Sequence, residues 1–296
     1  MSVRKSLFAL AALTIVALHP MAAVAQQSDA AAYSRLARDA AALSQSDVEG
    51  LEAALNDRPD DLAARAKLLG FYFHGGTRLY GHDATVEARR RHILWLIVNH
   101  PDSEVVDLTE ATIDRAGHAL ADPAGYAQAS ALWLEEARRH ETSATVLRHA
   151  AKFFQLSDKE RAVSLLRQAQ HAEPGNRELS AQIGYVYALA ILGVDMINQN
   201  GLPTSHNLEE ARGDFALRAV DALKASTDAI TVGIAGTVVG QYGLMLTGML
   251  RGTGKFAVDY FPLAEAFLGR AREIDPANPG WASNLEELRK LRASVR

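Results

Sequence analysis

Hydrophobic residues recur at helical spacing between Ser143 and Asn176, and they predict two helices within 34 residues. A break falls at Leu156–Asp158, and Pro174 with Gly175 ends the second helix. The inward positions are Val146, His149, Ala150 and Phe153 in the first helix and Ala162, Leu166 and Ala169 in the second. Because three of these residues are alanines, the two helices can approach each other closely. The pattern predicts an antiparallel helix pair.

The same spacing recurs on both sides of this central pair. First-helix positions are matched by Ala66, Leu69, Gly70 and Phe73, and by Ser180, Ile183, Gly184 and Tyr187. Second-helix positions are matched by Asp47, Leu51, Ala54 and Pro59, by Ala211 and Phe215, and by Ala264, Leu268, Ala271 and Pro276. No window rich in β-branched and aromatic residues interrupts the pattern. The chain therefore predicts repeated helix pairs.

This skeleton of small, aromatic and proline positions resembles the tetratricopeptide repeat (TPR). The resemblance implies an all-α fold, a right-handed superhelical array of antiparallel helix pairs (a TPR-like α-solenoid). We expect about five pairs with flanking helices. It also implies a concave surface that binds a protein or peptide segment.

Other segments keep the helical pattern without the full signature. We expect a weakly packed first helix over 28–43, then helices over 84–99, 102–118 and 123–140. Asp122 should cap the last of these, with Pro123 in its first turn. Loops are expected at 74–83 and 198–207. A polar-faced helix over 278–291 should cap the array, with Trp281, Leu285 and Leu288 inward.

The segment 229–250 runs for 22 residues without a charge and contains five glycines. It is long enough to cross a bilayer, but its glycines, threonines and Gln241 lower its hydropathy. A matching second-helix pattern follows at 264–276, so the array must continue past it. We therefore expect a buried helix whose glycines permit close packing, and no stable membrane span. A membrane-associated component that uses this segment is the alternative.

The first residues have the form of a secretory signal peptide. Arg4 and Lys5 precede an apolar run over 7–18, and Ala23-Val24-Ala25 provides a small-x-small cleavage site. We expect 1–25 to be removed after Ala25, 26–45 to form a partly flexible N-terminal helix, and 46–296 to form the repeat domain. The expected location is the periplasm or the medium. The chain has no cysteine, so disulfides and thiol chemistry are excluded.

Removal of Arg4 and Lys5 leaves 29 basic against 35 acidic residues, a net charge of −6. A mildly acidic chain argues against nucleic acid and against an anionic membrane surface as partners. The one basic cluster is the run Arg89-Arg90-Arg91, which is expected to be a solvated helix face.

Catalytic and metal-binding motifs are missing from the sequence, and the expected function needs no enzyme activity, metal or cofactor. His140-Glu141 is not followed by the second histidine of a zinc motif, and the run 252–255 lacks the glycine and hydroxyl residue of a phosphate loop. His74 and His82 flank a glycine-rich loop and are expected to face solvent, while His149 is expected to be buried with its hydrogen bonds satisfied. A hydrolase acting on the cell wall remains a third hypothesis.

The resemblance assigns the concave surface to particular positions of the first helices. These are Ala64, Lys67, Phe71 and His74, then Ala144, Leu147, Ala151 and Phe154, then Glu178, Ala181, Tyr185 and Ala188. The lysine and asparagine that the family uses to clamp a peptide carboxylate are not both present in any repeat. Phe71, Leu147, Phe154 and Tyr185 are expected to be exposed for an apolar segment, with Arg148 and Gln182 at the edge. The alternative is that some of these rings pack against the next repeat.

Overall fold

The structure, a computed structural model, describes residues 24–194, 208–250 and 259–295. These residues form thirteen α-helices and no strand, which confirms the all-α prediction. The helices are α1 (Val24–Asp39), α2 (Gln45–Asp57), α3 (Leu62–His74), α4 (Gly76–Tyr80), α5 (His82–Asn99), α6 (Pro123–Arg139), α7 (Ala144–Phe154), α8 (Lys159–Ala172), α9 (Arg177–Leu192), α10 (Leu208–Ala225), α11 (Ala229–Leu250), α12 (Phe261–Ile274) and α13 (Pro279–Val295). The predicted signal peptide, the insertion at 198–207 and the run 252–255 lie mostly or wholly outside the described residues.

Short polar side chains cap several of these helices. Asp61, Ser143, Asp158 and Asn176 each accept a hydrogen bond from a backbone N–H in the first turn of their helix. Asp122 does the same for α6, accepting from the N–H of Gly125 at 2.9 Å, with Pro123 in the first turn. The predicted cap of this helix is confirmed.

Helices pack mainly against their neighbours in the chain. From α5 to α9 each helix packs on the next, and α11 then packs on α9, α12 and α13. At the N-terminus, α1, α2 and α5 all pack on α3. One apolar core runs from Ala37 on α1 to Leu288 on α13, and a smaller one lies between α2, α3 and α5. Contacts close in sequence therefore build most of the fold.

The central pair α7 and α8 has the predicted interface. Ala150, Ala162 and Ala169 are fully buried, and Leu166 is buried beside them. The two helices pack on each other with these small residues buried, as their spacing predicts.

Helix α11 is buried within the fold rather than exposed along its length. A Cβ at Gly233 would overlap the Trp281 ring of α13, and one at Gly240 would lie 2.7 Å from Leu288. The predicted role of the α11 glycines as close-packing positions is confirmed. None of the described helices is long and apolar enough to cross a bilayer.

The weak packing predicted for the N-terminal helix over 28–43 is wrong. Ala37 of α1 is fully buried, and its backbone lies directly against Gly70 of α3.

Residues 100–122, here called the bridging segment, contradict the helix predicted over 102–118. They form 3-10 turns at Glu104–Asp107 and Thr109–Ala111 and then run without regular structure to α6. The buried guanidinium of Arg89 donates to the carbonyl oxygens of Glu110 (3.1 Å) and Thr112 (2.7 Å). These bonds from a distant helix stabilise the irregular path of the segment. The loop expected at 74–83 also differs, since it contains α4.

The predicted solvated face at Arg89-Arg90-Arg91 is wrong for two of its three residues. Arg89 is 1% exposed, and Arg90 forms a two-bond ion pair with buried Asp122. Arg91 is exposed and pairs with Glu52 at 2.8 Å. The arginines hold the bridging segment and α2 to α5.

Candidate functional site

The predicted concave surface is not exposed in the form expected. Phe71, Leu147, Ala151 and Phe154 are at most 3% exposed, so the prediction that their side chains are available to a partner is wrong. Phe71 packs edge-on against Tyr72 and Tyr80, and the guanidinium of Arg161 lies 5.4 Å from the Phe154 ring. Packing against neighbouring elements, the alternative for these rings, accounts for their burial.

The bridging segment packs on the helices that were expected to line the groove. Its two 3-10 turns contact α1, α3, α5 and α7. His74 Nε2 lies 3.1 Å from Glu110 Oε1, and Arg148 lies 3.0 Å from Asp107 and 3.4 Å from Glu104. Two predicted groove residues therefore bind a segment of the same chain.

Glu178, Gln182 and Tyr185 follow one another along one side of α9, and Glu178 also approaches Arg148 of α7. Glu178 is exposed, accepts a hydrogen bond from Gln182 at 3.0 Å and lies 3.8 Å from Arg148. Tyr185 is half-buried one turn farther along α9. We call Arg148, Glu178, Gln182 and Tyr185 the α7–α9 patch. Lys67 is half-buried on α3 and makes no ion pair with any described residue, so the structure does not join it to this patch.

Asp107 is the centre of an ion-pair cluster that ties the bridging segment to α7. Its carboxylate lies 2.9 Å from Lys152 Nζ and 3.0 Å from Arg148 Nη1. Burial acts to raise the pKa of Asp107, but the positive charges of Lys152 and Arg148 outweigh it and lower that pKa to about 2. Burial raises the pKa of Glu104 despite the nearby Arg148. Asp107 therefore carries the negative charge that balances the two cations.

Glu104, Asp107 and His149 also have the chemistry of metal ligands. Their ligand atoms lie within 4.8 Å of one another. Arg148 and Lys152 bind the same carboxylates, however, and both ring nitrogens of His149 have partners. Cations of the protein therefore already take the place that a metal ion would need. The two loop histidines do not share a partner either. His82 bonds to Asp83 and to the carbonyl of Ala119, whereas His74 bonds to Glu110.

His149 is buried with both ring nitrogens hydrogen-bonded, as predicted. Nδ1 lies 2.8 Å from the carbonyl oxygen of Pro101, and Nε2 lies 2.8 Å from the Arg148 guanidinium. A carbonyl only accepts and a guanidinium only donates, so Nδ1 carries the proton and Nε2 accepts. Burial, followed by the charge of Arg148, lowers the pKa of His149 to about 4, although Asp107 and the Pro101 carbonyl act in the opposite direction.

Mild acid is expected to destabilise the protein through His149. The unfolded histidine has a pKa of about 6.5, so it binds a proton before the folded one does. The stabilisation is complete above pH 6.5 and is lost as pH falls to about 4, the pKa in the folded chain. The loss amounts to about 3 kcal/mol. Urea unfolding at several values between pH 7 and pH 4 measures it.

His149→Asn should flatten this dependence, because the asparagine does not titrate. His171→Asn is the matched control, since His171 is exposed on α8 and bonds only to a carbonyl of its own helix. An unchanged slope in His149→Asn would show that other groups cause the acid sensitivity. The acid titration of Asp107 falls in a separate window, below about pH 4.

A cavity of about 120 Å³ lies beneath the bridging segment, next to the ion-pair cluster of Asp107. Its apolar wall comes from α5, α6, α7, the bridging segment and Leu156, which follows α7. The wall consists of Ile93, Leu96, Ile97, Val106, Ala111, Ile113, Trp133, Phe153 and Leu156. The polar lining consists of Asp107, Thr112, Asp114, His149, Lys152 and Gln155. An apolar wall with a few polar groups is typical of small-molecule sites.

Three polar residues of this cavity, Asp107, Thr112 and Asp114, lie in the segment for which the sequence predicted a helix over 102–118. Ser103, Asp107, Thr109, Thr112 and Asp114 occur at short intervals between Pro101 and Gly117. Side chains of these types compete for backbone hydrogen bonds and favour turns. The number of such residues in this short stretch was the feature of the sequence that could have predicted an irregular segment.

Comparison with known proteins does not identify a relative. No protein-family model matches the chain, and no curated protein matches its sequence. The resemblance to the TPR family therefore depends on residue spacing alone.

Proposed function

We propose that the chain is an exported helical scaffold that binds a protein or peptide segment. Its helix pairs would stack into a right-handed, TPR-like superhelix. The observation that carries this proposal is the packing of successive helices on their chain neighbours, which is the contact pattern of a repeat array. Such a fold offers extended surfaces for another polypeptide, and binding of this kind requires no cofactor, metal or catalytic residue.

The α7–α9 patch is the proposed binding surface, in place of the larger groove expected from the repeat positions. It combines the charges of Arg148 and Glu178 with the amide of Gln182 and the ring of Tyr185. Tyrosine and arginine are the residue types that most often dominate binding energy at protein interfaces. The partner would be a segment with a buried apolar residue and polar flanks.

The proposed location is the periplasm or the medium, reached through the signal peptide at 1–25. The mature chain has no cysteine to be oxidised there. The packing of α11 on α9, α12 and α13 favours the scaffold over a membrane-associated component, because those contacts occupy the helix that such a component would use.

Site-directed photocrosslinking tests this function in intact cells. A photoreactive amino acid at Gln182 should join the exported protein to one partner band, and Glu178→Lys should reduce that band about tenfold by reversing an interface charge. The same amino acid at Gln168, exposed on α8, is the matched control. The proposal fails if both positions give the same bands or if Glu178→Lys leaves the band unchanged. Leu147 is unsuitable for such a test because it is fully buried.

A further inference from the structure

We propose that the cavity beneath the bridging segment is a binding site for a small, neutral ring compound with one hydrogen-bond donor, the class to which phenol belongs. This site is separate from the α7–α9 patch and does not depend on the scaffold function. Four features of the cavity support it: its size, its wall, its unpartnered polar atoms and its charge balance.

The size and the wall select a single ring. The cavity volume of about 120 Å³ is slightly below the volume of about 150 Å³ that admits benzene in an apolar protein cavity. Trp133 and Phe153 are the aromatic residues of the wall, and Phe153 is held in place by stacking on Tyr126 at 4.9 Å between ring centroids. A bound ring would recover the dispersion contacts that an unfilled wall lacks.

The polar lining leaves two positions for a ligand hydroxyl. Asp107, Lys152 and His149 are committed to one another or to Arg148 and Pro101, and the Thr112 hydroxyl donates to the Thr109 carbonyl at 2.8 Å. The Gln155 side-chain amide has no partner among the described residues. Asp114 uses one carboxylate oxygen for His118 at 3.0 Å, which leaves its other oxygen as an acceptor. These groups would receive and orient an O–H donor.

The charge balance favours a neutral ligand over an ion. Lys152 is paired with Asp107 at 2.9 Å. Burial lowers the pKa of Arg89 to about 10, and among the carboxylates that oppose this shift Asp114 has the largest effect. The negative charge of Asp114 therefore already compensates a buried cation. An anionic ligand would face two carboxylates, and a cationic one would disturb both balances.

Calorimetry and thermal unfolding of the whole protein test the site with phenol, benzene and benzoate. Phenol should bind, and it should raise the unfolding temperature in proportion to its occupancy. Benzene should bind about tenfold more weakly because it lacks the donor, and benzoate should not bind. The proposal is overturned if phenol does not bind, if benzene binds equally well, or if benzoate binds better than phenol.

Two variants place the binding in this cavity. Ala111→Leu projects a larger side chain from the buried lining into the void, so it should abolish phenol binding without lowering stability. Ala131→Leu, exposed on α6, is the matched control and should bind phenol normally. If Ala111→Leu does not fold, Gln155→Leu provides the test. Gln155 is half-buried, and its loss removes one of the two acceptors, so phenol should bind more weakly while benzene binding is not reduced. Unchanged phenol binding in the folded variants would overturn the assignment.

The same ring could come from a free compound or from a tyrosine side chain of another protein. N-acetyltyrosinamide separates the two, since it carries the ring on a peptide backbone. Binding of phenol and not of this derivative assigns the cavity to free small molecules, as proposed. Equal binding of the derivative would overturn that assignment in favour of a protein-borne ring.

Discussion

Gly184→Ala is expected to destabilise the protein by about 4 kcal/mol, an unusually large effect for one added methyl group. Gly184 lies where α9 crosses α11, and a Cβ there would overlap the backbone carbonyl of Thr231. A carbonyl in a helix cannot rotate away, so the two helices must separate along their contact. Thr231 also donates to the carbonyl of Ser180 at 3.0 Å, and separation would break this bond. Urea unfolding followed by circular dichroism measures the change.

Gly50→Ala is the matched control for this prediction. Gly50 lies on α2, and no neighbouring atom comes within 4 Å of the place that a Cβ would occupy, so alanine gains helix propensity there without a clash. It should stabilise the protein by about 0.5 to 1 kcal/mol. Opposite signs for the two glycines would establish the close approach of α9 and α11. Equal effects would contradict it.

Asp122→Ala is expected to cost about 4 kcal/mol, because one side chain has two structural roles. Asp122 is 4% exposed and binds the guanidinium of Arg90 through both carboxylate oxygens, at 2.6 and 2.7 Å. The same carboxylate caps α6. Its loss would leave Arg90 unpaired between α5 and α6 and release the end of the bridging segment. Chemical unfolding at pH 7 provides the measurement.

Two further substitutions separate the roles of Asp122. Asp122→Asn keeps a capping side chain but removes the charge, so it should recover only the capping part, about 1 kcal/mol. Asp158→Ala removes a cap whose ion pair with Arg161 is largely exposed, and it should cost about 1 kcal/mol. If Asp122→Ala costs no more than Asp158→Ala, the Arg90 pair contributes nothing measurable.

Elements were predicted well where a local pattern fixes them. The small residues of α7 and α8, the cap at Asp122 and the buried glycines of α11 each follow from residue type and spacing over a few turns. The helix over 278–291 is also present as α13, with Trp281, Leu285 and Leu288 buried as predicted. In all these cases the interaction that decides the structure is made within one helix or between chain neighbours.

The candidate site was predicted poorly because distant residues build it. Arg89, on α5, holds carbonyls of the bridging segment more than twenty positions away, at residues 110 and 112. The periodicity of 102–118 suggests a helix, yet that local preference is weaker than a buried guanidinium that needs acceptors. The segment then lies against α3 and α7, where it binds His74 and Arg148 of the expected groove.

The amino-acid sequence by itself determined the helical class of this protein, the bounds of several helices and the small residues at which α7, α8 and α11 pack. Helix formation depends on hydrogen bonds four residues apart and on a repeating apolar face, and both involve residues that are close in sequence. Only the tertiary structure decided the path of residues 100–122, the burial of Leu147 and Phe154, and the cavity beside Asp107. These features depend on charges and carbonyls that meet in space from separate parts of the chain, and no local pattern specifies such meetings.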